Sequence, residues 1–482
     1  MNTRSILALT LSLLVTLICS NCRSSLPPPI QNSEDIIVFQ NVSLVPMTDE
    51  IILKNQTVLV QGSKIIDIGP SNTISIPQNS KRIDATGAYL MPGLADMHMH
   101  TRPDWNDWCS DWPVSPLHLY LANGVTTIRC FGPNGDTYGY IFRWRDKINN
   151  GKLSGPTIYT CGPILYGPVS NPKKRVLEQK AQGVDFIKLY SFLSKDEFHE
   201  AMVTSKQAGI YTAGHIPFQV GLQGVLSEGM DEIAHIEELS FEFVEFDRNK
   251  VRGREWMPYV IKAAYQQYKP YFGLNMEELD ERFGTSMPSF AAKVGSANIP
   301  VCTTLFLDEV IVEKLHDPKL FLSKPENRYL PGKYRAALRQ GREKHQMQFR
   351  GGEDFAPFKR KVDIILLKYL KEAEVILVLG TDAGTGWMGL VPGFSIHDEL
   401  RILIENGFTP YEAIKTGTVN AAMVVEKMNR NGDFGTIEIG KRADLILVED
   451  NPLEDINNIK NIRGVMASGR WYDNTVIQQL FD

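Results

Sequence analysis

From Pro92 onward the chain repeats one pattern, a short apolar run followed by a loop and then a helical stretch. The runs cover residues 93–97, 126–130, 157–161, 186–189, 211–214, 232–235, 300–304 and 376–380. Runs of this length with intervening helices favour parallel strands joined by crossovers, and eight of them fit an α/β fold of the (β/α)8, or TIM, barrel type. Helices are predicted over 195–207, 217–227 and 410–416, the last with Thr409 as cap and Pro410 at its first position. Before the repeat, residues 36–91 alternate in short strands such as 57–60 and 65–68. Strand character returns after Gly432, at 435–437, 443–448 and 465–469. The simplest arrangement is a small β-sandwich domain built from both chain ends, 36–91 and 432–482, with the barrel inserted as 92–431. The gaps after the sixth and seventh runs are long for barrel loops. They hold charged and aromatic helical sequence, at about 239–296 and 308–371. Insertions after barrel strands fall on the active-site face, so a cap over the site is expected.

A net charge of −5 gives no support for nucleic-acid binding. The N-terminus has its own character. Arg4 precedes an apolar stretch over 6–18 that is short for a membrane span. Residues 1–22 read as a secretory signal and 23–35 as a tether. The segment resembles a bacterial lipoprotein signal with Cys22 as the lipidated residue, although Asn21 stands where a small residue is expected. The expectation is an exported protein of the periplasm or cell surface, touching membrane only through such an anchor. Cys130, Cys161 and Cys302 sit in strand-like runs and read as buried thiols. The mature chain shows neither a disulfide framework nor a zinc knuckle.

Six residues at or near the ends of the apolar runs have side chains suited to a metal. His98 and His100 are two apart on the first run and share one face. Lys188, His215, His235 and Asp382 end later runs. Taken singly, each has an ordinary structural explanation: a hydrogen-bonded histidine, a turn aspartate, a lysine reaching solvent from a strand end. Together they form the order His-x-His, Lys, His, His, Asp, which a ring of parallel strands brings to one point.

With these residues, the chain resembles the binuclear branch of the amidohydrolase superfamily, and more narrowly its imidazolonepropionase-like and prolidase-like members. The resemblance also runs through Met91-Pro92-Gly93-Leu94, Gly124-Val125-Thr126-Thr127 and Pro392-Gly393-Phe394-Ser395-Ile396-His397-Asp398-Glu399-Leu400. It closes on Gly435-Thr436-Ile437-Glu438-Ile439-Gly440-Lys441-Arg442-Ala443-Asp444-Leu445. It implies that His98, His100 and Asp382 bind a buried metal, and that His215 and His235 bind a second. Lys188 would be carboxylated by carbon dioxide and bridge the two divalent ions. Nitrogen and oxygen donors without thiolate suit Zn²⁺, with Mn²⁺ or Co²⁺ as alternatives. The resemblance further implies hydrolysis by a metal-bridging hydroxide, with Asp382 as the catalytic proton shuttle.

Candidate substrate-binding residues are Tyr190, two positions after Lys188, and Trp105 and Trp108 of a tryptophan-rich first loop. His397 is a further candidate, equally explained by helix packing. Many relatives carry an acidic residue after the arginine of the second strand, whereas Arg129 is followed by Cys130. Lys188 itself argues against imidazolonone hydrolysis, whose site resembles a single-metal one. The expected function is hydrolysis of a C–N bond in a small-molecule substrate such as a dipeptide, N-acyl amino acid or cyclic amide. Lactone, ester or phosphotriester hydrolysis uses the same chemistry, and a non-catalytic metal-binding surface lipoprotein is the alternative from another class. A homo-oligomer is left open.

Overall fold

The computed structural model describes residues 35–106, 111–133 and 138–481. The signal segment with Cys22, nearly all of the tether, and Trp108 lie outside the described residues. The first strands are β1 (Ile36–Leu44), β2 (Leu53–Gln61), β3 (Lys64–Pro70), β4 (Lys81–Asp84) and β5 (Tyr89–Pro92). They are followed by β6 (Leu94–Thr101), β7 (Val125–Pro133), β8 (Thr157–Thr160), β9 (Phe186–Leu189) and β10 (Tyr211–Gly214). Then come β11 (Glu232–Ile233), β12 (Val301–Cys302), β13 (Leu377–Val378), β14 (Leu445–Val448), β15 (Ile462–Ala467) and β16 (Arg470–Asp473).

The chain is a mixed α/β structure. One eight-stranded sheet runs β16-β15-β14-β5-β1-β2-β3, with β4 beside β1, and so joins both chain ends. Antiparallel pairing of β14 with β5, Leu445 opposite Pro92 and Val448 opposite Tyr89, makes that junction. Val58, Val60, Leu445 and Leu447 supply part of its buried core. The expected strand at 435–437 does not form; Ile437 instead donates its N–H to Pro46 as a loop.

The remaining strands are parallel and form two sheets, β6-β7-β8 and β9 through β13. A Cys161–Phe186 bridge links the edge at β8 to β9, and a Met99–Ala383 bridge links β6 to the segment after β13. Strands β11 to β13 are only two residues long, shorter than their apolar runs. Beyond Ile233 and Cys302 the backbone turns to left-handed φ at His235 and Thr304, which ends the ladder and turns those side chains away from a regular strand.

Crossover helices form where caps and periodicity coincide. Lys195–Ala208 begins with a reciprocal box between Ser194 and Glu197 and ends at left-handed Gly209. Pro410–Thr416 has the same box between Thr409 and Glu412. The two long gaps are helical, with Trp256–Tyr268, Met276–Phe283 and Met287–Ser296 in the first, and Phe306–His316, Lys344–Gln348 and Phe355–Glu372 among those of the second.

Candidate metal centre

The C-terminal ends of the parallel strands open into a cavity of about 580 Å³. His100, Lys188, His215, His235 and Asp382 all line it. His98 lies just behind, its ring 4.2 Å from that of His235. Donor atoms of His98, His100 and Asp382 lie within 4.8 Å of one another. The His215 and His235 rings are 4.9 Å apart.

Local backbone bonding accounts for this convergence. The His98 carbonyl accepts from the N–H of Asp382 at 2.7 Å and of Thr381 at 3.1 Å. Asp382 has φ of 59°, a left-handed conformation that turns its carboxylate toward the histidines. Such a conformation costs a non-glycine residue of order 1–3 kcal/mol and persists only where its surroundings hold it. At Gly384 a Cβ would lie 2.0 Å from the His100 carbonyl oxygen, so only glycine allows the two loops to meet.

Hydrogen bonds set the histidine tautomers. His100 Nδ1 lies 3.1 Å from the Gly132 carbonyl, which only accepts, so Nδ1 carries the proton and Nε2 the lone pair. The Thr304 hydroxyl donates to the Thr303 carbonyl and so accepts from His235 Nδ1 at 2.9 Å, which again leaves Nε2 bare. His215 Nδ1 meets the Ser191 hydroxyl at 2.7 Å and Glu238 at 2.5 Å. Partners of this kind orient metal-binding imidazoles.

Nε2 of His100 therefore directs its lone pair at Asp382 Oδ1, 2.9 Å away. Two electron-rich atoms at that distance call for a shared cation or proton. Both ring nitrogens of His98, and Lys188 Nζ, are buried with no hydrogen-bond partner among the described residues. Buried polar groups normally have one. The donor set thus fits a divalent ion.

Electrostatics favour the ligand forms. Burial holds His98, His215 and His235 well below the usual imidazole range, and so neutral. Burial lowers Lys188 to about 8. Burial would raise Asp382, but the close contact with His100 and the charges around it hold it at about 2. Burial raises Glu238 to about 8.

Of the other candidates, Tyr190 lines the cavity, its ring 4.1 Å from that of His215, and burial keeps its phenol protonated. Trp105 does not line it. It is fully buried, stacked on Trp144 at 6.1 Å and packed behind Gly384, so it supports the loop instead of walling the substrate. Trp387 takes the wall position. His397 is also elsewhere. It sits in a separate cleft with Asn123 and Lys460, and burial lowers it to about 3. Arg129 forms a buried ion pair with Glu232, so it is satisfied without an acidic neighbour in sequence.

Sequence reasoning missed Glu237, Glu238, Asp308 and Lys359, all on the cavity wall. Adjacency to His235 was the one available signal for the two glutamates. It also missed Asp96, fully buried behind His98.

Comparison with known proteins agrees with this geometry. Residues 354–472 match the amidohydrolase family. Over that segment the chain is similar to the amidohydrolase family. The match supports a hydrolase of the class that acts on carbon–nitrogen bonds. The chain is similar to ochratoxinase of Aspergillus niger, 24% identical over 86% of this chain and 81% of that protein. Its fold matches a putative prolidase from Bifidobacterium longum, with TM-score 0.60, 21% identity, and coverage of 93% of this chain and 98% of the other. A Xaa-Pro dipeptidase with methionine bound in its active site gives TM-score 0.61 and 19% identity, over 91% of this chain and all of the other.

Proposed function

We propose that this protein is a binuclear metal-dependent enzyme that cleaves the C–N bond of a dipeptide or N-acyl amino acid, on a (β/α)8 barrel. The observation that carries it is the lone pair of His100 Nε2 facing Asp382 Oδ1 at 2.9 Å, in the same cavity as Lys188, His215 and His235. The barrel reading is supported by the Cys161–Phe186 and Met99–Ala383 bridges, which join the two parallel sheets at both edges.

His98, His100 and Asp382 would hold one ion, and His215 and His235 the second. Lys188, its pKa lowered by burial, would supply the neutral amine that takes up carbon dioxide and loses a proton to give a carbamate ligand for the ions. The nitrogen and oxygen set suits Zn²⁺, and also Mn²⁺ or Co²⁺. Such ions supply Lewis acidity and lower the pKa of water toward neutrality. Asp382 then accepts the proton of the attacking water and returns it to the departing amine. Tyr190 donates its hydroxyl to a substrate oxygen. Aromatic and aliphatic side chains, among them Phe192, Phe241, Ile261 and Trp387, limit water and seat an apolar substrate group.

The prolidase and Xaa-Pro dipeptidase relatives support a peptide-like amide. The leader over 1–22 supports export. The test is a screen of metal-loaded protein against dipeptides, N-acyl amino acids, lactones and phosphotriesters. Amides should turn over with the highest kcat/KM; preference for a lactone or phosphotriester would replace the amide reading.

A further inference from the structure

The cap carries a second buried polar cluster, away from the candidate metal ligands. Lys314, on helix Phe306–His316, is completely buried. Its ammonium has three N–H groups, and three acceptors surround it. The Met388 carbonyl is 2.6 Å away, His345 Nδ1 2.8 Å and Glu343 Oε1 3.2 Å. Glu343 in turn accepts the backbone N–H of His345 at 2.8 Å. One lysine thus ties helix Lys344–Gln348 to the loop that carries Met388 and Trp387, both on the cavity wall.

This arrangement decides which nitrogen of His345 carries the proton. Glu343 Oε1 is also 3.3 Å from Nδ1, where it would accept a proton. The shorter contact, with Lys314, prevails, because an ammonium has no lone pair and can only donate. Nδ1 is then the acceptor, and Nε2 carries the hydrogen. His345 lines the cavity, and no protein partner for Nε2 appears among the described residues. Burial, then the neighbouring Lys314, lowers His345 to about 4, so the ring is neutral and donates one bond. An N–H on the cavity lining is available to an acceptor on the substrate.

Beside it is a cation of the same wall. Lys344 lines the cavity, and its only hydrogen-bond partner among the described residues is Met388 Sδ at 4.0 Å. By contrast Lys359, elsewhere on the wall, is paired with Asp363 and Glu237. The cap therefore offers the cavity one fixed N–H donor and one unpaired positive charge from adjacent residues. Both suit a group that accepts hydrogen bonds and is anionic. A carboxylate meets both demands, and charge-assisted bonds of this type are among the stronger ones.

We propose that His345 and Lys344 form a specificity subsite that selects amides bearing a free carboxylate. Lys314 and Glu343 are positioning residues that hold the His345 tautomer. The proposal rests on the amide-hydrolase reading, and it adds which residues choose among amides.

The experiment uses metal-loaded protein and pairs of N-acyl amino acids with their carboxamide twins, identical except for the terminal group. The wild type should prefer the carboxylate twin by about tenfold or more in kcat/KM, the size of one hydrogen bond to a charged group. Lys344→Met should lower the carboxylate-to-carboxamide ratio by about tenfold through KM, and Lys344→Glu should invert the preference. His345→Gln should lower the ratio too. Lys344 is exposed, so its variants stay informative even if loss of His345 disturbs the buried cluster. An unchanged ratio in Lys344→Glu, or a wild type without preference, overturns the proposal. Calorimetry with N-alkyl amino acids, which lack the scissile carbonyl, separates the two readings. Carboxylate-selective binding lost in Lys344→Glu supports the subsite even if no amide is hydrolysed, and binding blind to the carboxylate overturns it.

Discussion

Asp96 is bonded to Thr381 twice, its carboxylate accepting the Thr381 hydroxyl at 2.6 Å and the Thr381 N–H at 3.2 Å. It also accepts the His98 N–H at 3.2 Å. One buried side chain thus joins the strand that carries His98 and His100 to the residue preceding Asp382, although the two segments are 285 positions apart. Asp96→Ala should weaken metal binding about 10- to 100-fold while leaving the ligands themselves in place, the usual cost of removing a group that orients them. Competition with a chelator of known affinity checks this. Metal affinity equal to wild type would show that Thr381 and His98 are held without it.

If Lys188 is the proposed carbamate ligand, Lys188→Ala should remove most activity, by about a hundredfold or more. Short carboxylic acids should restore part of the rate, because the lost side chain leaves room for a carboxylate in the carbamate position. The comparison is the rate with and without acetate or propionate at matched metal content. Near-normal activity and metal content without added acid would make Lys188 an ordinary strand lysine.

Asp382→Asn should lower the rate per bound metal pair by about 10²–10⁴-fold, the range for loss of a general acid–base group. Metal content must be measured on the same sample, because an amide is also a poorer ligand. A rate per site within about tenfold of wild type would remove Asp382 from proton transfer.

His345 gives a pH signature in stability. Its folded pKa of about 4 lies below the ordinary imidazole value of about 6.5, so the unfolded chain takes up its proton first as pH falls. Between about 6.5 and 4 the unfolded state binds more protons, and stability must fall on acidification; below about 4 this residue contributes no further loss. Thermal melts of His345→Gln across pH 4–7 should show a shallower decline than wild type. Parallel melting curves would place the His345 proton elsewhere.

Much of the fold was legible because local pattern and tertiary role coincide. The run at Phe186–Leu189 is apolar because β9 is buried along its whole length, and Thr409-Pro410 marks a helix start because both residues satisfy the same terminus. The positions of His98, His100 and Asp382 follow from strand ends, which parallel order brings together. What was not legible depends on partners distant in sequence. Trp105 reads as a loop residue open to substrate, yet Trp144 and Gly384 enclose it. Lys314 lies in the charged helical sequence of the second gap, and its three acceptors come from positions 343, 345 and 388. The shortness of β11 and β12 depends on left-handed turns at His235 and Thr304, residues with no intrinsic preference for them.

The proposed amide-cleaving centre needs two ions. The direct measurement is hydrolysis of an N-acyl amino acid by chelated protein, with bicarbonate present, as Zn²⁺ is added back in known equivalents. The account predicts no turnover without metal and a rate that saturates at two equivalents per chain. Turnover by the metal-free protein, or saturation at one equivalent, would contradict it.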